Sequence, residues 1–178
     1  MLNFLERRRG LLDAVVFSGG EPTLQAGLYE AMTHVQQLGF KIGLHTNGAY
    51  PIRLKELLPI TSWVGMDIKI AFADYDKVTD TPLSGIRVKE SAKIILASGV
   101  AYEFRTTVHP KYHSEDSMIK LALELQQMGV KNYALQNFRP EGCANEELKT
   151  KHAGNLLLSD QLCGRIGAMF ENFTVRLA

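Results

Sequence analysis

"VVFSGGEPTLQ", residues 15–25, runs an apolar segment straight into two glycines, an acid and a proline. The apolar start reads as a buried strand, so the question is what its far end faces. Gly19 and Gly20 carry no Cβ, which lets a ligand or another backbone come close. Glu21 adds a negative charge, and Pro22 stops the strand and suits the first position of a helix. Such a cradle suits a group with a positive charge or several N–H donors. A phosphate would be met instead by N–H groups or cations. Taken alone, the four residues also fit a plain strand-to-helix turn.

Outward from this stretch, short strand-like runs alternate with helix-like runs. The strand candidates are AVVFS (14–18), KIGLHT (41–46), WVGMDIK (63–69), YEFRTTV (102–108), NYALQN (132–137) and FTVRL (173–177). Residues 24–39 carry Leu24, Leu28, Ala31, Met32, Val35 and Leu38 at helical spacing. VKESAKIILASG (88–99) and SEDSMIKLALELQQMG (114–129) repeat the pattern, with Gly39, Gly99 and Gly129 placed to close each helix. Met32 and Met128 fall on core faces by this spacing. Repeating βα units predict an α/β fold of parallel strands joined by right-handed crossovers. The stretch 137–155 is the longest irregular region and reads as a loop over one face.

The strands are not uniformly apolar, as parallel strands covered on both faces would be. Val64, Met66 and Ile68 alternate with Gly65, Asp67 and Lys69, and Tyr102, Phe104 and Val108 with Glu103, Arg105 and Thr107. Ile42 and Leu44 oppose Gly43, His45 and Asn47. Each strand thus turns apolar side chains to the helices and polar ones to the opposite face, increasingly toward its C-terminal end. Sites form at that end in barrels and in open α/β sheets alike. An unpaired buried charge costs several kcal/mol, on the order of the values for lone buried ions, so Asp67, Lys69 and Arg105 need partners or a charged ligand. A structural network among those three is the plainer alternative.

The 178 residues suit a single domain, 1–178, large enough to bury a core. Twenty basic against nineteen acidic residues leave a formal charge of +1, so nothing in the balance calls for nucleic acid or an anionic membrane. No apolar run approaches a membrane span, and three arginines at 7–9 stand where a signal peptide would be apolar. Cys143 and Cys163 lie far apart, without close His or Cys neighbours, and suggest neither a disulfide framework nor a zinc site. A cytoplasmic location is expected.

SGGEP at one strand end, TNG at the next and DIK at a third together resemble the radical S-adenosylmethionine (SAM) superfamily, in particular the activating enzymes of glycyl-radical enzymes. With GFKIGLHTNGAYP (39–51), RTTVHP (105–110) and QNFRPEGC (136–143), the sequence is most similar to activators of anaerobic ribonucleoside-triphosphate reductase. Activators of pyruvate formate-lyase are the near relatives, and the likeness covers roughly residues 4–145. The resemblance implies an incomplete (β/α)6 barrel lacking the first βα unit. It implies that Gly19, Gly20 and Glu21 hold the methionine ammonium of SAM. Asp67 and Lys69 would lie beside the nucleotide and the methionine carboxylate, with Arg105 reaching the same carboxylate or the ribose, and Thr46 and Asn47 completing the pocket.

The implied reaction is abstraction of a glycine Cα hydrogen from a partner enzyme by a 5′-deoxyadenosyl radical, with reduced flavodoxin or ferredoxin as electron donor. No residue of the chain is assigned as catalytic or as a metal ligand. Where pyruvate formate-lyase activators have an Asp that helps hold a cation, this sequence has His45, which reads as a pocket residue, a partner contact or a packed histidine. The family's Cys-x3-Cys-x2-Cys loop, which holds three irons of a [4Fe–4S] cluster ahead of the Gly-Gly-Glu strand, has no counterpart in the 18 residues before Gly19. A shortened activator and a degenerate, non-catalytic module binding SAM or a partner are the competing readings; a barrel lyase using Lys69 as a Schiff-base amine is a third. A missing first strand would expose the edge beside AVVFS and favour self-association. Asn137, Phe138 and Arg139 read as loop residues within reach of a ligand.

Overall fold

The computed structural model describes residues 2–141, 146–150 and 158–177. Its strands are β1 (Ala14–Phe17), β2 (Lys41–Thr46), β3 (Trp63–Asp67), β4 (Ala101–Val108), β5 (Asn132–Asn137) and β6 (Asn172–Arg176). The helices are α1 (Leu2–Glu6), α2 (Leu28–Gln37), α3 (Pro51–Leu57), α4 (Asp76–Thr79), α5 (Ser84–Ser98), α6 (Glu115–Gln127), α7 (Glu146–Thr150) and α8 (Asp160–Gly167). Strand order follows chain order, β1-β2-β3-β4-β5-β6, and the described pairings are parallel. An order without reversal is that of a βα barrel, whereas a doubly wound sheet reverses at a switch point.

The chain divides into two compact units, Met1–Met66 with Arg87–Tyr102, and Asp67–Ile86 with Glu103–Ala178. In the first, β1 pairs with β2 from Ala14↔Lys41 to Phe17↔Leu44, and β2 with β3 from Gly43↔Trp63 to Thr46↔Met66. Its core joins Met32 and Val35 of α2 to Ile42 and Leu44 of β2, Val64 and Met66 of β3, and Ala92 and Ile95 of α5, all buried. Each large aliphatic side chain buried there contributes about 1.5–3 kcal/mol. In the second unit, β4, β5 and β6 pair in the same way. Phe104 and Val108, Tyr133 and Leu135, Met118, Leu121 and Leu125 of α6, and Ile166 of α8 form its core.

Local chemistry sets the helix ends. Ser114 caps α6 by accepting from the Ser117 N–H at 3.3 Å, while Ser117 Oγ accepts from the Ser114 N–H at 2.9 Å. This is a capping box with serine in the usual Glu position. Gly129 closes the same helix at φ +81°, where an L side chain is strained. Met128, by contrast, is half-buried at the C-cap and not in the core.

The helix expected from residue 24 begins at Leu28 instead. Pro22–Leu24 form a single 3-10 turn, because the Glu21 side chain folds back onto the Thr23 N–H and the turn ends in extended backbone at Gln25. The stretch 137–155 is not loop throughout, since α7 occupies 146–150; residues 142–145 and 151–155, Cys143 among them, lie outside the described residues. Among the described residues no helix is long and apolar enough to cross a membrane.

Candidate functional site

In the first unit the ends of β1 and β2 build a cradle around Glu21. Gly19 and Gly20 follow β1 at φ +97° and +52°, and a Cβ added at either would meet no protein atom within 4 Å. Their absence of side chain therefore serves the backbone path, which only glycine follows without strain, and leaves the outward side open. The turn brings the half-buried Glu21 carboxylate back toward β2. Oε1 accepts from Thr23 N–H at 3.1 Å, Thr23 Oγ1 at 2.5 Å and Thr46 Oγ1 at 2.8 Å. Oε2 accepts from Asn47 N–H alone, at 2.7 Å.

Every one of these donors is neutral. The carboxylate is fixed in direction, and among the described residues no cation pairs with it, which fits an incoming ammonium. Two further contacts hold the cradle. Arg53 Nη1 donates to the Thr23 and Leu24 carbonyls at 3.2 and 3.0 Å, tying the turn to α3. Gly48, at φ +72°, lets β2 turn away beneath Met66, with its carbonyl accepting from the buried Ser91 Oγ at 2.7 Å.

His45 is packed. Its Nδ1 lies 3.2 Å from Ser18 Oγ, and its ring meets Trp63 edge-on at 5.6 Å between centroids. Gly65 makes room for that indole: a Cβ there would sit 2.6 Å from Trp63 Cη2.

In the second unit the polar group forms where β3 runs out. Asp67 Oδ1 accepts from Arg105 Nε of β4 at 2.9 Å. The Arg105 side chain is 11% exposed and that of Asp67 45%, so desolvation falls mainly on the arginine, and a wet carboxylate offsets it. Lys69 stands apart from this pair. Its side chain is exposed, and among the described residues its ammonium meets no acceptor. The alternative of a three-membered structural network is therefore reduced to an Asp67–Arg105 ion pair, with Lys69 exposed beside it.

The backbone beneath Lys69 is held by side chains that the sequence alone does not flag. Ile68 N–H donates to the Arg105 carbonyl at 2.8 Å, and the Ile68 carbonyl accepts from Thr106 Oγ1 at 2.7 Å. Tyr133 Oη in turn donates to Thr106 Oγ1 at 2.8 Å. Lys69 N–H donates to Tyr75 Oη at 2.8 Å, and the Lys69 carbonyl accepts from His113 Nε2 at 2.7 Å. Burial pushes the Tyr75 phenol up, so it stays protonated, and holds the His113 imidazole below its ordinary value. These partners escaped the sequence reading because they act on main-chain atoms. The nearest signal is the pair His109 and His113, one helical turn apart in an otherwise polar loop.

Beside this group, Asp67, Lys69, Thr107, His109, His113 and Phe138 line a cavity of about 250 Å³. Phe138 belongs to its wall, its ring edge-on to His109 at 4.8 Å between centroids, with its N–H bonded to the Val108 carbonyl. Asn137, Phe138 and Arg139 also line a second cavity with Gln136 and Arg176. There Arg176 is locked by Glu103 in two parallel contacts of 2.9 and 2.8 Å.

The structure thus brings together Gly19, Gly20, Glu21, Thr46 and Asn47 in one unit, and Asp67, Lys69 and Arg105 in the other. An ammonium finds a suitable group in the first unit, and a carboxylate finds one in the second. A cluster held by three thiolates does not: the chain has two cysteines, of which the described one, Cys163, is half-buried with its thiol pushed up by burial. Among the described residues no three His, Cys, Asp or Glu side chains are placed to hold a metal ion.

Comparison with known proteins places these groups in context. The model of the radical SAM superfamily matches residues 2–132. A Methanocaldococcus jannaschii protein described as a glycyl-radical enzyme activating enzyme is 31% identical over 144 residues, 77% of this chain and 59% of its own length. The 7-carboxy-7-deazaguanine synthase of Thermococcus kodakarensis is 30% identical over 105 residues, 53% of this chain and 42% of its own. The chain therefore spans about half the length of these curated relatives. Among solved structures, a domain of pyruvate-formate lyase-activating enzyme from Bacteroides vulgatus superposes with a TM-score of 0.65 at 16% identity. That match covers 93% of this chain and 98% of that one. Streptococcus suis SuiB bound to S-adenosylmethionine gives a TM-score of 0.65 at 14% identity, over 99% of this chain and 40% of SuiB. At these identities the structures speak for the fold alone, a partial radical SAM barrel.

Proposed function

Because the chain belongs to the radical SAM superfamily, we propose that it supplies the S-adenosylmethionine pocket of an activase that installs a glycyl radical on a partner enzyme. Anaerobic ribonucleotide reductase is the preferred partner, and a pyruvate formate-lyase type enzyme the next; reduced flavodoxin or ferredoxin is the electron donor. When bound, the cofactor supplies the acceptor for the hydrogen atom removed from the partner's glycine.

The observation that carries the reading is the Glu21 carboxylate, aimed by four neutral donors and, among the described residues, without a paired cation. Glu21 binds the methionine ammonium through the open side of Oε2. Thr46 and Asn47 hold that carboxylate in place, and Gly19 and Gly20 give the backbone path that presents it. Lys69 takes the methionine carboxylate, while Arg105 keeps Asp67 oriented for hydroxyl or amine donors of the nucleoside.

Calorimetric titration of the chain with S-adenosylmethionine tests this. The wild type binds, and Glu21→Gln and Lys69→Met each weaken binding about tenfold or more, the effect of losing one charged hydrogen bond. Failure of the wild type to bind at millimolar cofactor refutes the pocket.

A second reading is a module that binds cofactor or partner without redox chemistry. Anaerobic reconstitution with iron and sulfide separates the two. If a version of the protein carrying a cysteine triad yields 5′-deoxyadenosine, the activase reading stands; if the natural reading frame has no such triad, the binding module replaces it.

A further inference from the structure

The β3 strand ends at Asp67, yet the backbone continues in a fixed path through Ile68 and Lys69. Ile68 is still tied to β4, through the Arg105 carbonyl and the Thr106 hydroxyl. At Lys69 the hydrogen-bond partners come from side chains of two other segments, the phenol of Tyr75 on the N–H and the imidazole of His113 on the carbonyl. Tyr75 is 2% exposed and His113 7%, so both partners are held rigidly from behind.

His113 Nε2 lies 2.7 Å from the Lys69 carbonyl and donates to it when it carries the proton, while Nδ1 lies 3.1 Å from both the amide nitrogen and the carbonyl oxygen of His109. One imidazole thus bridges the root of Lys69 to the start of the loop after β4. A lysine has four methylenes of free rotation, and ordering them on ligand binding costs up to about 2 kcal/mol. Fixing the backbone at its root confines the sweep of the ammonium before a ligand arrives, which lowers the cost of binding.

We propose that Tyr75 and His113 are positioning residues for Lys69, holding its ammonium where it meets the carboxylate of an amino-acid-bearing ligand. The inference rests on the reading of Lys69 as a carboxylate ligand. Neither side chain need touch the ligand; both act through main-chain atoms of the residue that does.

The test measures the dissociation constant for S-adenosylmethionine and the melting temperature of Tyr75→Phe, His113→Leu, His113→Gln and Lys69→Met, with each clamp variant repeated in the Lys69→Met background. Tyr75→Phe leaves the Lys69 N–H unpaired, and His113→Leu does the same to its carbonyl. Glutamine at 113 can restore the donor. Tyr75→Phe and His113→Leu are expected to weaken binding about 3- to 10-fold, a fraction of one buried hydrogen bond, with His113→Gln near wild type. In the Lys69→Met background those losses disappear, because the group being positioned is gone.

A purely structural role would lower melting temperature without this dependence on Lys69. Losses of equal size in both backgrounds overturn the proposal, as does wild-type affinity in Tyr75→Phe and His113→Leu while Lys69→Met binds weakly. Unchanged binding in Lys69→Met itself removes both the pocket reading and this inference. Should His113→Leu fail to fold, Tyr75→Phe decides the question by the same comparison.

Discussion

Replacing Glu21 by glutamine changes one atom and should disturb the unliganded protein measurably. The carboxylate receives three hydrogen bonds on Oε1 and one on Oε2, from Thr23, Thr46 and Asn47. A glutamine amide has a single accepting oxygen. With that oxygen in the Oε1 position, the NH2 group confronts the Asn47 N–H, donor against donor; flipped over, it confronts the Thr23 N–H, while the hydroxyls of Thr23 and Thr46 must turn round to accept from it. The better orientation leaves one half-buried N–H unpaired and turns three charge-assisted bonds into neutral ones. Partial relief comes from no longer desolvating a charge, so the net loss is about 1–3 kcal/mol. For a domain of this size each kcal/mol moves the melting temperature by roughly 2–4 °C, so Glu21→Gln should melt about 2–12 °C below wild type. Differential scanning calorimetry at neutral pH without ligand gives the answer. Coincident melting curves, or a higher one for the variant, would show that the carboxylate is not held by these donors.

Gly48→Ala places a methyl into Met66 Cε at a φ of +72°, and urea unfolding should show about 2–5 kcal/mol lost, the sum of backbone strain and overpacking. Asp74 is drawn down to about 2 by hydrogen bonds from Lys120 and Lys77. Its folded value lies below the 3.8 of the free side chain, so it stabilises above pH 4, and that contribution is lost as pH falls toward 2. Acid unfolding of Asp74→Asn should therefore differ from wild type above pH 4 and converge with it below 2. The β1 edge, where Val16 is 49% exposed, should pair with a second copy. Light scattering over a dilution series would show association that Val16→Lys reduces, and a monomer at every concentration counts against it.

Much of this was written plainly in the residues. KIGLHT and NYALQN match β2 and β5 end to end, because each is a short, largely apolar run that ends at a polar residue and follows a helix-closing glycine. Glu21, Thr46 and Asn47 were expected in one pocket, and the structure joins them by hydrogen bonds. The start of α2 was misplaced because its apolar spacing runs back to Leu24 without a break. Only the Glu21–Thr23 contact and the Arg53 grip on two carbonyls reveal the turn that intervenes. Helix α8 was not foreseen: eight residues give barely two turns of periodicity, although Ser159 caps it by accepting from the Leu162 N–H. Tyr75, Thr106 and His113 stayed hidden for a different reason. Residue type announces what a side chain can do to a ligand, and says little about which backbone atom it will hold.

The uneven loading of the two Glu21 oxygens gives the cradle a way to count hydrogens. Oε1, with three donors, has no lone pair to spare, while Oε2 serves one. Charge alone would attract a quaternary nitrogen as well as a primary one. Only a nitrogen that still carries hydrogen can enter the vacant acceptor sector, and it must come from the side away from Asn47. A trimethylated amino group keeps its charge but has nothing to donate and is bulkier at the point of closest approach. In a cradle that takes an ammonium, the same four contacts would therefore favour a primary amine over its trimethylated form.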